Sequence, residues 1–144
     1  MTTVRDLLKV KGNEVWYVTP SNDMLDTLKI MAEKNVGALM VLEDGKIKGI
    51  VSERDFARGV SKEERCSLKT TVLEYMTKDV VTITPEQSID DCMVLMTKEH
   101  IRHLPVVENG QLIGLISIGD VVKAVISSKD STINHLENYI EGRW

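Results

Sequence analysis

The chain has 144 residues, of which 42% are hydrophobic and 28% charged, with a formal net charge of −4. That balance suits a globular protein with one domain's worth of core, and the acidic excess argues against a nucleic-acid backbone as a general partner. No apolar run is long enough to span a membrane, the opening MTTVRDLLKVKG lacks a signal-peptide core, and Cys66 and Cys92 form neither a disulfide framework nor a metal spacing; a reducing, cytoplasmic setting is therefore expected.

In chain order, Val4, Leu7 and Leu8 indicate a short helix or lead-in, and Lys11-Gly12-Asn13 turns the chain. Val15 to Val18 reads as a strand stopped by Thr19-Pro20, and Met24, Leu28 and Met31 then fall at i, i+4, i+7, the stripe of an amphipathic helix. A methionine stripe serves either as core packing or as a partner groove. Ala38–Leu42 and Lys46–Val51 are two predicted strands around Glu43-Asp44-Gly45, a hairpin signal because both central positions favour positive φ. The second strand runs into GIVSERD, Gly49 to Asp55, followed by a helix over Asp55–Val60 and a charged, solvated connector, Ser61 to Lys69.

The pattern then repeats. A shift of 65 residues aligns Val15–Val60 with Val80–Val125 without a gap, with identities at Thr19/Thr84, Pro20/Pro85, Gly49/Gly114, Ser52/Ser117 and Asp55/Asp120 among others. Upstream, Thr3-Val4 matches Thr71-Val72 after a slip of three. The second copy carries Ile89, Met93 and Met96 on one helical face, Ser88 and Asp91 as a capping box, strands Leu104–Val107 and Gln111–Ile116 around Glu108-Asn109-Gly110, and a helix over Asp120–Ile126. Each copy reads β-α-β-β-α. The chain thus divides into repeats at 3–60 and 71–126, a connector at 61–70 and a helical tail at 127–144, where Ile133, Leu136, Tyr139, Ile140 and Trp144 are apolar enough to dock on the body or on a second subunit. A lone unit of this size buries little surface, so the copies are expected to pack together.

GIVSERD and GLISIGD, Gly114 to Asp120, share Gly, branched apolar residues, Ser, two variable positions and Asp. Ser-x-x-Asp is a helix N-cap signal, and one copy alone is met by a capped helix; two in register ask for more. A carboxylate at a helix start is suited to accept from two vicinal hydroxyls, as on a ribose, with the Ser hydroxyl and first-turn amides beside it. Arg54 and the pair Arg102-His103 offer donors for phosphate, or are ordinary surface charge. Catalysis is not favoured: a capping Ser has its lone pairs committed, and Ser and Asp in one turn do not straddle His103. His100 and His103 beside Cys92 lack further zinc ligands, and neither GxGxxG nor GxxxxGK occurs.

These features resemble a pair of cystathionine-β-synthase (CBS) domains, the tandem called a Bateman module. The likeness rests on GIVSERD and GLISIGD, on ALMVLEDGKIKG and LPVVENGQLIG, and on Val18-Thr19-Pro20 and Ile83-Thr84-Pro85, and it spans roughly residues 3–126. SERDFAR, IRHLPVVENG and HLENYIEG are similar to small stand-alone CBS-pair proteins of bacteria and plant organelles. The resemblance implies an α/β fold of two repeats related by a pseudo-twofold axis, small sheets packed with helices, and clefts between the repeats for adenosyl ligands such as AMP, ADP, ATP, NAD(H) or S-adenosylmethionine. It implies Asp55 and Asp120 on the ribose hydroxyls, Ser52 and Ser117 on ribose or phosphate, and Val15 and Val80 on adenine with Thr77 nearby. Arg102 and His103 would face phosphate, with Ala38, Leu104 and Pro105 completing the pocket. The first repeat departs from the second in having Gly37-Ala38 where the second has Arg102-His103. The family's crosswise arrangement gives those donors to the Asp55 cleft, which is expected to bind phosphorylated ligand more tightly. The expected protein is a non-catalytic regulatory sensor without resident cofactor or metal, a homodimer through its helical faces, read by a downstream protein. The rivals are a constitutive adaptor with empty pockets and a minor nucleotide hydrolase, for which no nucleophile is seen.

Overall fold

The computed structural model describes residues 2–65 and 67–140, with backbone alone at 129–135 and 137–139. Expectations for Cys66, Trp144 and the side chains of Ile133 and Tyr139 lie outside the described residues. The elements run α1 (Val4–Lys11), β1 (Tyr17–Val18), α2 (Met24–Lys34), β2 (Ala38–Glu43), β3 (Lys46–Ser52), α3 (Glu53–Glu63), α4 (Val72–Tyr75), α5 (Ile89–Glu99), β4 (His103–Glu108), β5 (Gln111–Ser117) and α6 (Ile118–Ile140). The fold is mixed α/β, and no helix of the described residues is long and apolar enough to cross a membrane. The chain forms two compact units, Val15–Val81 and Met1–Glu14 with Thr82–Trp144.

In the Val15–Val81 unit, β1 pairs parallel with β2, and β2 pairs antiparallel with β3. The hairpin turns on Asp44 and Gly45 at φ 53° and 75°, the left-handed pair that an Asp-Gly turn requires. Asp23 caps α2 by accepting from the Asp26 amide at 2.8 Å, and Asn35 ends it in the left-handed conformation. Met24 and Met31 are fully buried beside Leu39, Val41 and Val51, so the methionine stripe is core packing rather than a partner groove. Val72 and Tyr75 of α4 join the same core. Beyond α4, Thr77 exchanges backbone hydrogen bonds with Ile50 of β3, at 2.8 and 3.0 Å.

The other unit is built likewise, with β4 and β5 antiparallel around Asn109 and Gly110, both at positive φ. Ser88 and Asp91 form the capping box of α5, and Ile89, Cys92 and Met96 point into the core. Burial first, then the nearby Asp91 charge, pushes the Cys92 thiol up to about 11, so it stays protonated at neutral pH. Thr3 caps α1 with its own box to Asp6, and bridges to Ser88. Thr71, its echo, begins α4 and bridges to Asp23. The two lead-ins are therefore exchanged: the segment before the first copy belongs to the unit of the second, and the segment before the second belongs to the unit of the first.

Several elements differ from the sequence reading. The strand expected over Val15–Val18 is Tyr17–Val18, and its counterpart in the second copy shrinks to one bridge, Ile83 to Val106, so that β-α-β-β-α is complete only in the first. In the first copy the Met40 amide donates to the Trp16 carbonyl at 3.3 Å; the matching residue is Pro105, which has no N–H to give. Helix α3 runs to Glu63 and absorbs the start of the expected connector. Helix α6 is continuous from Ile118 to Ile140, where a body helix and a separate tail were expected; the polar run at Ser127-Ser128 holds neither Gly nor Pro to stop propagation.

Candidate functional site

Both Ser-x-x-Asp stretches are strand-to-helix turns. In the first, β3 ends at Ser52, whose hydroxyl accepts from the Asp55 amide at 3.1 Å. Asp55 answers with Oδ2, which accepts from the Ser52 amide at 2.9 Å and the Ser52 hydroxyl at 3.0 Å. The Glu53 amide donates to the Gly37 carbonyl at 3.0 Å. Two of the first-turn amides thus already have acceptors, which narrows what the helix start can offer an anion. The outer carboxylate oxygen is more open: among the described residues Asp55 Oδ1 meets only the Thr77 hydroxyl, at 3.5 Å. Thr77 stands there because its backbone pairing to Ile50 holds it against the end of β3.

The second turn repeats the frame and changes the occupant. Asp120 Oδ2 accepts from the Ser117 amide at 2.8 Å, the Asp120 amide donates to the Ser117 hydroxyl at 3.2 Å, and the Ile118 amide donates to the Arg102 carbonyl at 2.8 Å. Here, however, Lys11 Nζ reaches both Asp120 Oδ2 and the Leu115 carbonyl, each at 2.5 Å. Leu115 is the counterpart of Ile50, whose carbonyl takes the Thr77 amide at 2.8 Å. One strand carbonyl therefore has two solutions. The segment after α4 goes extended at Met76 and brings a backbone amide, whereas α1 stays helical through Lys11 and brings an ammonium. Arg5 fastens α1 in place through Glu86 at 2.8 Å and through Glu108.

The Asp120 carboxyl sits below its ordinary range. Burial would raise it, but the hydrogen bonds from Lys11 and the Ser117 amide and the Lys11 charge together outweigh that. A carboxyl depressed on folding stabilises the fold above its unfolded pKa and loses that contribution as pH falls through the folded one.

The remaining expected residues fall in two groups. In the Val15–Val81 unit, Ala38 is buried and pairs across the hairpin with Ser52, Val15 and Val80 are half-buried, and Arg54 is exposed. In the other unit, His103 pairs with Ser117 in the same way, Arg102 is exposed, and Leu104 and Pro105 are buried. Leu104 is among the largest fully buried side chains, so it acts as core. Arg54 and Arg102 make no ion pair among the described residues. Among the described residues no three of His, Cys, Asp and Glu are grouped to hold a metal. Lys11, expected in a turn, is the last residue of α1 and belongs to the second Ser-x-x-Asp turn, for which no local sequence signal exists. Lys11 and Asp120 also line a cavity of about 720 Å³ between α1 and α6, with Lys123 and Ser127.

Comparisons with known proteins agree with this architecture. The CBS domain family model matches residues 4–62 and 72–127. The chain is 38% identical over 150 residues to the mitochondrial CBS domain-containing protein CBSX3 of Arabidopsis thaliana, covering 98% of this chain and 73% of the relative. Among solved structures, a protein with CBS domains from Burkholderia ambifaria is 50% identical, covers 88% of this chain and 95% of its own, and superposes with a TM-score of 0.84. The complex of CBSX2 with AMP is 29% identical, covers 90% and 99%, and has a TM-score of 0.72. Two hairpins, two Ser-x-x-Asp turns and these matches lead to one assignment: the chain belongs to the CBS-domain family and carries two copies of the domain.

Proposed function

We propose that this protein is a regulatory module that binds an adenine nucleotide at its Ser-x-x-Asp turns and does not consume it. The observation that carries this reading is the Asp55 turn, where one carboxylate oxygen is fixed by the cap and the other, among the described residues, meets only a hydroxyl at 3.5 Å. That oxygen is poised to accept from a ribose diol. The AMP complex of CBSX2, a relative of the same fold, supports an adenosyl ligand. Among the described residues no group near either turn has the arrangement of an activated nucleophile, since both Ser hydroxyls are occupied in capping. A ligand held by a turn favours the conformations able to hold it, and a partner protein reads that shift.

The test is a thermal-shift panel of AMP, ATP, NAD(H) and S-adenosylmethionine with product analysis alongside. A ligand at 100 times its dissociation constant stabilises the fold by about 2.7 kcal/mol. No shift with any of the four overturns the binding reading, and turnover overturns the non-catalytic one. Calorimetry on Asp55→Ala and Asp120→Ala separates the turns. The Asp55 change is expected to remove the tighter AMP event and the Asp120 change the weaker one.

We further propose a homodimer held by apolar helix faces. Ile118, Val122 and Ile126 lie at i, i+4, i+8 on α6 and are 39%, 46% and 53% exposed, a continuous apolar stripe. Sedimentation at low and high salt is expected to show the same dimer, since screening weakens ionic but not apolar contacts. A monomer at micromolar concentration rejects the proposal.

A further inference from the structure

We propose that the outer face of α3 is a docking surface for an acidic helix of a partner protein, whose carboxylates, four residues apart, meet Arg54, Arg58 and Lys62. These three residues stand at i, i+4 and i+8 on α3, and all are exposed. Among the described residues none of them forms an ion pair. The surface gives a chemistry to the downstream partner of the proposed function. It uses no group of the Ser-x-x-Asp caps and so stands apart from nucleotide binding.

Helix physics alone does not choose this face. Like charges four residues apart destabilise a helix, and Arg58 has a cation four residues before it and another four after. Asp55, three residues before Arg58, is engaged by the Ser52 cap and forms no ion pair with it. Arg54 lies in the first turn of α3, where the dipole favours Glu53 and Asp55 and disfavours a cation. Arg65, three residues beyond Lys62, is a further cation, with Glu63 at 3.6 Å as its partner. The second copy provides the control. At the same shift of 65 it has Gly119, Lys123 and Ser127, so the fold does not require the row of cations. A local rule broken in one copy and kept in the other points to function.

Size and composition select the partner. A rise of about 1.5 Å per residue spreads the three charges over about 12 Å, in steps of about 6 Å. Carboxylates at i, i+4 and i+8 of a facing helix keep the same step. A nucleic acid fits less well, because its affinity comes from many phosphates and the chain's net charge of −4 opposes it. Phe56, the aromatic side chain of α3, is half-buried and packs on Tyr75 with centroids 5.7 Å apart, so the face offers no ring on which a base stacks. A lipid surface asks for large apolar side chains exposed beside the cations, and α3 has none.

The test is fluorescence anisotropy on the full chain with a labelled synthetic helix carrying Glu at i, i+4 and i+8, the same helix with Gln at those positions, and a short single-stranded oligonucleotide. At low salt the Glu helix is expected to bind about tenfold or more tighter than the Gln helix, and to lose that advantage as salt rises. Arg58→Glu with Lys62→Glu is expected to cost the Glu helix about tenfold or more in affinity, and Arg58→Gln with Lys62→Gln a smaller part of that. Lys123→Glu, at the counterpart position on α6, leaves binding unchanged. Arg54 stays unaltered because it adjoins Asp55, so thermal midpoints and the AMP shift of each variant check the fold and the proposed nucleotide site. Equal binding of the Glu and Gln helices, or Glu-helix binding that survives both pairs of changes, overturns the docking surface. So does an oligonucleotide that binds more tightly than the Glu helix and is lost with the same changes, which assigns the face to nucleic acid. Absence of an AMP shift in the unmodified protein overturns the proposed function and leaves this surface standing.

Discussion

Gly59→Ala is expected to destabilise the protein by about 1–2 kcal/mol, against the sign that helix propensity alone predicts. Gly59 lies inside α3, where alanine ordinarily gains up to about 1 kcal/mol over glycine. An added Cβ, however, meets the Tyr75 ring at 2.1 Å from Cε1 and 2.4 Å from Cδ1. The ring is 8% exposed and packs on Phe56 with centroids 5.7 Å apart, so it has little room to retreat. Forcing a methyl into such a site costs about 1–3 kcal/mol, which exceeds the propensity gain. Tyr75 also buries its hydroxyl without a hydrogen-bond partner among the described residues, so the ring is held by packing alone. Urea denaturation of Gly59→Ala, Tyr75→Leu and the pair reads the effect. The double variant is expected to recover stability relative to the sum of the singles, because the smaller side chain vacates the clash. A stabilised Gly59→Ala protein shows instead that the ring yields freely and the helix gains its propensity.

What the sequence disclosed follows from the range of its signals. The hairpins were legible because Asp44-Gly45 and Asn109-Gly110 state their own φ values, and the caps because Ser52, Ser88 and Ser117 each stand three residues before an Asp. Of the stripes Met24, Leu28, Met31 and Ile89, Met93, Met96, four residues are buried and Leu28 and Met93 half-buried, so helical spacing marked a core face. These are relations within a few residues. The repeat itself was legible because self-similarity needs no geometry, and the family resemblance built on it agrees with the matched family. The shortened strand at Ile83 was open to the same reasoning, since Pro105 stands where Met40 donates its amide, but only once the strand partners are known. The exchange of lead-ins and the Lys11–Asp120 pair were not legible. Thr3 finds Ser88, and Lys11 finds Asp120, across most of the chain, and no local periodicity records which unit a lead-in will join. Helix α6 continues through Ser127 because polarity marks exposure, and only a breaker or cap marks an end.

The two repeats supply a controlled comparison at their matched strand glycines, where Gly49→Ala is expected to cost about 2–4 kcal/mol and Gly114→Ala no more than about 1–2 kcal/mol. Both sites are tight, but the obstacles differ in kind. At Gly49 an added Cβ stands 2.6 Å from the Thr77 carbonyl oxygen and 2.9 Å from Met76 Sδ. At Gly114 it stands 2.7 and 3.0 Å from the two terminal carbons of Leu8, the far end of a side chain that rotates. The Thr77 carbonyl cannot rotate. It accepts from the Ile50 amide at 3.0 Å while the Thr77 amide donates back at 2.8 Å, so relieving the clash strains both bonds as well as the packing. In the other unit the carbonyl of Leu115, the counterpart of Ile50, is held instead by the flexible Lys11 side chain, which follows a small shift without loss. The consequences also differ at the sites. Displacing Thr77 withdraws its hydroxyl from Asp55, whereas moving Leu8 leaves the Ser117–Asp120 cap intact. Chemical denaturation gives the costs, and amide hydrogen exchange locates them: faster exchange at Ile50 and Thr77 in Gly49→Ala, unchanged exchange at Ser117 in Gly114→Ala. Equal costs at the two glycines, or protected amides at Ile50 and Thr77 in Gly49→Ala, contradict the argument that a backbone neighbour, rather than crowding as such, makes Gly49 irreplaceable.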